Sequence, residues 1–253
     1  KAAKDPRALE SAKRKPLSPA SIRARISAAR SLYRALRWAG VTTADPFAEV
    51  RLPKPSSSAR ERIKQKAFTE EELDILIHHA MREGDKRLLL ILYLGAHAGL
   101  RVNEMLNLKW DDVDTMNRRV RVIDGKGGKD RTVRMSKNLT ATLEDARNQR
   151  RAEGTLTEHV LEERHQSVVY RRVQRAWYQA MARHLGISDP EDVPDMPRFE
   201  GKGIHGMRHY TGVRLAKESR NIQVVRDHLG HSSVRSTEVY AGIADEAKEV
   251  DDW

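Results

Sequence analysis

Residues 118–135 read RRVRVIDGKGGKDRTVRM. Two short runs, Arg118–Ile123 and Arg131–Met135, alternate cationic and apolar side chains and flank the Gly-rich stretch Asp124–Asp130. Alternation with period two, closed by a loose turn, predicts a β-hairpin. The pattern changes on both sides of it. Upstream, the apolar run Leu88–Leu94 predicts a buried helix over about Lys86–Ala98, ended by Gly99, and RVNEMLNLKWDDVD then gives a short helix and a turn. Asp111, Asp112 and Asp114 read as turn and capping residues. Further upstream, Thr69 followed by Glu72 is a capping box opening a helix to about Arg82. Downstream, helical patterns cover about Asn138–Arg151 and Gln166–Leu185. From His205 three short helices follow, broken at Arg220–Asn221 and at Gly230. Residues 152–165 carry no legible pattern, and the Pro-rich stretch 188–202 reads as a loop. The expected fold class is mainly α with a small β-hairpin or sheet, an α+β chain.

The first quarter of the chain reads separately. Ser18 is a suitable N-cap, Pro19 fits the first helical position and Gly40 follows the last periodic residue, predicting a helix over about Pro19–Ala39. Ile22, Ile26, Ala29, Leu32, Tyr33 and Leu36 form an apolar stripe on it, and Arg23, Arg30, Arg34 and Arg37 form a cationic one. Arg51–Gln65 holds two prolines and three serines without periodicity and reads as a linker. The expected organisation is a small helical domain over 1–50, a linker over 51–65, a larger domain over 66–244 and an acidic tail over 245–253.

Of 253 residues, 47 are Lys or Arg and 36 Asp or Glu, a formal net charge of +11. Residues 1–64 hold 16 of the bases and 5 of the acids, so the whole excess sits there. A concentrated cationic segment points to a polyanion, nucleic acid first. There is no cysteine, which excludes disulfide frameworks, thiolate zinc sites and cysteine nucleophiles. The longest apolar stretch falls far short of the ~20 residues of a membrane span, and no secretory signal opens the chain, so an intracellular protein without membrane contact is expected. Gly125–Lys129 is too short for a nucleotide-binding P-loop and sits in a hairpin, not before a helix.

Four clusters place polar residues where elements begin or end: GLRVNE (Gly99–Glu104), GKGGK (Gly125–Lys129), HGMRH (His205–His209) and LGHSSVRSTEVY (Leu229–Tyr240). Each alone has a plain reading. Arg101 can cap the carbonyls of the helix before it, and His205 and Arg208 can pair on one helix face. Lys126 and Lys129 can be ordinary hairpin lysines, His231 a helix start and Tyr240 a core tyrosine.

Taken in order and spacing, the set resembles the tyrosine recombinase and integrase family. That family carries an Arg in an early box, a Lys in a β-hairpin, a His-x-x-Arg box, a His after Leu-Gly, and a nucleophilic Tyr about nine residues on. The matching positions are Arg101, Lys126, His205, Arg208, His231 and Tyr240. Glu104 matches an acidic position of the first box and is expected to orient a neighbouring catalytic group. Lys129 is the alternative to Lys126, which follows the first strand more directly. The resemblance covers Thr69 to about Ile243, is weaker over Ser18–Pro53 and is almost absent over Ala152–Gly201. It implies a helical DNA-clamping domain, its first helices expected to be missing, and a catalytic domain.

The implied reaction is DNA strand breakage and rejoining, site-specific recombination or integration, through a 3′-phosphotyrosine intermediate. Arg101 and Arg208 would bind the non-bridging oxygens and His231 would add a donor. Nearby positive charge would favour the Tyr240 phenolate, His205 would accept its proton, and Lys126 would protonate the leaving 5′ oxygen. No cofactor, metal or ATP is expected, since the covalent phosphotyrosine keeps the energy of the broken bond. Expected partners are double-stranded recombination sites, gripped partly by Arg23, Arg30, Arg34 and Arg37, with a homo- or hetero-tetramer formed on DNA. Residues 241–253 are expected to dock on a neighbouring protomer, and the cellular place to be cytoplasmic, at the nucleoid. A type IB topoisomerase shares the chemistry, and a non-catalytic DNA-binding protein shares the charge; these are the alternatives.

Overall fold

The computed structural model describes residues 17–53, 61, 63, 66–123, 130–187, 203–231 and 237–243. The chain divides into two compact units, Lys1–Ser58 and Ala59–Trp253.

In the first unit, α1 spans Pro19–Trp38. The Ser18 hydroxyl accepts the Ser21 N–H at 3.2 Å, and Gly40 beyond the far end has a φ of 68°, the left-handed conformation glycine adopts without a Cβ penalty. No residue of α1 is fully buried. Ile22, Ile26, Ala29, Tyr33 and Leu36 are half-buried, while Leu32 is 58% exposed. Residues 41–53 return along the helix, with Phe47 edge-on to Tyr33 at 5.6 Å between ring centroids. The arginine stripe binds this returning segment. Arg30 Nε donates to the Phe47 carbonyl at 3.0 Å and its Nη2 to the Val50 carbonyl at 2.7 Å. Arg23 donates to the Pro53 carbonyl at 3.2 Å, and Arg37 pairs with Asp45 at 2.5 Å. Arg34 is exposed.

The second unit contains α2 (Glu70–Arg82), α3 (Lys86–Ala96), α4 (Val102–Asn107), a three-stranded sheet, α5 (Lys137–Ala152), α6 (Gln166–His184), α7 (Gly203–Ser219) and α8 (Ile222–Leu229). Residues 237–243 are also helical. The capping box of α2 is formed: Thr69 N–H donates to Glu72 Oε2 at 2.8 Å, and Glu72 N–H to Thr69 Oγ1 at 3.1 Å. Apolar on every side, α3 is covered on every side, by α2, α5 and α7 among others. Leu90, Ile91, Leu92 and Leu94 lie in the centre of the core. Gly95 lets α7 approach α3, since a Cβ there would stand 2.9 Å from Met207 Sδ.

The sheet runs β1 (Val113–Asp114), β2 (Arg119–Val122), β3 (Arg131–Arg134), all antiparallel. Val120 faces Val113 on one side and Val133 on the other, and this row is the buried face. The architecture is mainly α with a small sheet, as the periodicities indicate. The strand β1 has no sequence signal of its own, being two residues long. Residues 155–165 form no helix or strand but are tied down, with Val160 N–H donating to the Leu108 carbonyl at 2.8 Å and Val160 and Leu161 buried. The hairpin tip at 124–129, the expected loop at 188–202 and the acidic tail lie outside the described residues. Among the described residues, no helix is long and apolar enough to cross a membrane.

Candidate active site

The site is built where α3, α4, α7 and α8 end or begin. After α3 the chain turns through Gly99, at a φ of 67°, where a Cβ would press within 2.9 Å of Leu229. This turn places Arg101 just before α4. Its own N–H donates to Glu104 Oε2 at 2.8 Å, and its Nη1 meets Glu104 Oε1 at 2.5 Å. Glu104 is buried at 8% exposure. Burial alone would push its carboxyl up, but hydrogen bonds from Arg131 and the Arg101 backbone, with the Arg131 and Arg208 charges, take it down to about 2. It is therefore a carboxylate at any physiological pH.

Arg208, on α7, is only 3% exposed. Its Nη1 donates to the Gly99 carbonyl at 2.7 Å and its Nη2 to the Leu229 carbonyl, while Nη1 also stands 3.8 Å from Glu104 Oε2. Burial and the Arg101 charge lower its pKa to about 9, which leaves it protonated at neutral pH. Arg101 reaches the same corner, with Nη2 at 3.4 Å from the Gly230 carbonyl.

His231 follows α8 directly after Gly230. Its Nδ1 lies 3.0 Å from Thr237 Oγ1, and its ring stacks at 6.3 Å and 19° on that of Tyr240. Tyr240 itself is 2% exposed. Its hydroxyl lies 3.0 Å from His209 Nδ1, and His209 in turn packs edge-on against His205 at 5.4 Å. Gly212, one turn on from Arg208 along α7, makes room for the phenol: a Cβ there would stand 2.6 Å from Tyr240 Cζ.

The electrostatics of the phenol depart from the expectation. The Arg208 charge does pull its pKa down, but burial is stronger and the net result is a phenol pushed up to about 12. The histidines move the other way. Burial, helped by Arg208 and Arg101, brings His231 down to about 4; burial with His205 and Arg208 does the same to His209, and His205 is lowered by burial and Arg208. His231 and His209 are therefore neutral at pH 7, each ring carrying one N–H and one lone pair.

Of the residues singled out from the sequence, Arg101, Glu104, His205, Arg208, His231 and Tyr240 all lie around this corner of the second unit. Lys126 and Lys129 lie outside the described residues. Two further residues take part. Arg131, on β3, donates from Nη1 and Nη2 to the two oxygens of Glu104 at 3.0 and 2.8 Å, and from Nε to the His228 carbonyl at 3.0 Å. Strand alternation carries a signal for it, because 131 shares a face with the buried Val133. His209 is the other; it lies one helical turn after His205, hence on the same face. Among the described residues, no group of three or more His, Asp or Glu could hold a metal ion.

The chain matches the model of the phage integrase family over residues 66–247. It is 30% identical over 229 residues to "Tyrosine recombinase XerC" of Mycobacterium leprae, covering 87% of this chain and 71% of that one. It is 28% identical over 230 residues to the protein of the same name from Xanthomonas campestris pv. campestris, covering 90% and 65%. Among solved structures, the crystal structure of XerA recombinase superposes with a TM-score of 0.57 at 24% identity, over 96% of this chain and 80% of that one. The Tn1549 transposon integrase, in complex with circular intermediate DNA, superposes with a TM-score of 0.65 at 18% identity, over 95% and 82%.

Proposed function

The chain belongs to the phage integrase family and is a site-specific tyrosine recombinase, and we propose that it breaks and rejoins DNA through a 3′-phosphotyrosine formed on Tyr240. The observation that carries this reading is the seating of Tyr240 against Gly212 and His209 on α7, the helix that carries the backbone-anchored Arg208, with His231 stacked on the phenol ring. An in-line transfer needs a nucleophile, cationic donors for the non-bridging oxygens and a proton for the leaving oxygen.

Arg101 and Arg208 supply guanidiniums to the two non-bridging oxygens, and His231 adds an N–H. Tyr240 Oη attacks phosphorus as the P–O5′ bond breaks. The leaving O5′ takes a proton from the hairpin lysine, Lys126 or Lys129. The phenol proton passes to the histidine pair, with His209 in contact with the hydroxyl and His205 packed behind it. Positive charge on this pair is opposed by burial and Arg208 in the protein alone, and an entering phosphate supplies the compensating negative charge. Reversal of the same steps by another 5′ hydroxyl rejoins the strands.

Double-stranded recombination sites are the proposed substrate, bound by a tetramer of this chain or of this chain with a homologue, in the cytoplasm at the nucleoid. The exposed Arg34 contacts phosphate from the first unit, with Arg23, Arg30 and Arg37 beside it on α1. Of the segment 241–253, residues 245–253 dock on a neighbouring protomer, since Ile243 is already buried within this chain. A nicked duplex carrying the recombination site is expected to trap a covalent protein–DNA adduct, and Tyr240→Phe to yield none. An adduct of equal yield in the Phe variant overturns the assignment of the nucleophile.

A further inference from the structure

One buried carboxylate, Glu104, faces three guanidiniums. Arg101 holds it from the α4 side, Arg208 stands 3.8 Å away, and Arg131 binds both of its oxygens. Arg131 is 8% exposed in its side chain, and its Nε is also fixed to the His228 carbonyl. The backbone leaves a gap for this side chain: a Cβ on Gly230 would stand 2.7 Å from Arg131 Cδ. Such a fork–fork pair, with the third donor anchored, has a single geometry.

We propose that Arg131 is a positioning residue for the phosphate site, engaging both oxygens of Glu104 so that this carboxylate, which Arg101 also meets, is held in one place and does not by itself offset the positive charge that Arg101 and Arg208 present to the DNA phosphate. This rests on the reading of Arg101 and Arg208 as phosphate ligands. With Arg131 present, these three guanidiniums and one carboxylate sum to two positive charges among the described residues. Without it, the Glu104 carboxylate is left to Arg101 and Arg208 alone, and the site loses one positive charge in a place where burial magnifies charge interactions. Arg131 acts through Glu104 and does not itself touch the reacting atoms.

A role confined to tying β3 to α4 and α8 makes a different prediction, and charge substitution separates the two. Single-turnover adduct formation is measured on the nicked duplex at saturating DNA with the full chain. Arg131→Gln is expected to slow it by about 100-fold, the effect of misplacing the groups that hold the phosphate, with DNA affinity changed less than about threefold. Adding Glu104→Gln to Arg131→Gln removes the competing carboxylate and is expected to recover at least about tenfold. A double variant no faster than Arg131→Gln overturns the proposal, and so does a recovery of rate that only follows a recovered melting temperature, because deleting the second half of a buried bridge also relieves a purely structural defect.

Should Arg131→Gln fail to fold, Arg131→Lys and Arg131→Met keep the test intact. Both lose the bidentate geometry and only Lys keeps the charge, so equal rates for the two overturn the proposal, and a faster Lys variant upholds it. Tyr240→Phe runs beside them. An adduct in that variant removes the reading of the site itself, whereas no adduct there with full activity in Arg131→Gln removes only the role of Arg131.

Discussion

Arginines organise both units, by different means and to different ends. In the first unit Arg23 and Arg30 donate to carbonyls of the segment they hold in place, and Arg37 has a carboxylate partner, Asp45. In the second, Arg101 and Arg131 converge on Glu104, and Arg208 is held by two carbonyls beside them. A carbonyl orients a guanidinium without cancelling its charge, while a carboxylate does both. The net charge of a segment therefore says little about where cationic chemistry resides. The second unit, whose charges nearly balance, holds the more demanding cations.

The comparison can be broken most directly at Arg208. Arg208→Ala should lower the single-turnover cleavage rate by about 100- to 1000-fold, the range seen when a preorganised donor to a developing anion is removed. A fall of less than tenfold, with the protein folded, would return the site to ordinary structural pairing.

Acid probes the second unit next. Glu104 has its folded pKa depressed, from 4.5 to about 2, so its share of stability is complete above pH 4.5 and is lost as pH falls towards 2; the shift corresponds to about 3 kcal/mol. His97, His209, His228 and His231 are each lowered by burial from 6.5 to about 4. Unfolding then takes up protons between those values, so their contribution is complete above pH 6.5 and is lost as pH falls towards 4. Denaturant midpoints should decline in two stages, from pH 6.5 to 4 and again below 4.5, with Glu104→Gln weakening only the second. A flat profile from 6.5 to 4 would contradict the burial of neutral histidines.

The smallest effects sharpen the contrast inside the first unit. Arg30→Ala should destabilise that unit by about 1–3 kcal/mol, because the carbonyls of Phe47 and Val50 lose a charged donor. Limited proteolysis within residues 41–53 would report it. Arg34→Ala should leave that resistance intact and reduce the slope of log K against log salt by about one unit. Equal behaviour of the two variants would erase the distinction between a structural and a phosphate-facing arginine.

Elements whose determinants are local are legible in the sequence itself. Thr69 with Glu72, and Ser18 with Pro19, announce helix starts because the partners are three residues apart or fewer. The alternation around residues 118–135 marks the hairpin for the same reason. The boxes at Arg101, His205, Arg208, His231 and Tyr240 are legible as a family pattern, which carries no distances. What stays hidden depends on segments distant in sequence. The engagement of Arg30 needs the chain 20 residues later to fold back. The Arg131 clamp joins β3 to Glu104, 27 residues earlier, and to the end of α8, 97 later. The direction of the Tyr240 shift runs against the sequence-based expectation because charge can be counted in a sequence, whereas burial cannot.

The two carbonyls that hold Arg208 bear on how the site tolerates change. Leu229 is the last residue of α8, so its oxygen lies at the negative end of a helix dipole. A partner made of main chain is the same whatever side chain accompanies it, and substitution at 229 alters the packing around Arg208 without deleting its acceptor. The length of the helix is what the acceptor depends on. One residue inserted or deleted between 222 and 230 turns that carbonyl by about 100° around the axis, and an arginine that withstands many substitutions nearby would lose its hold through a single change of register.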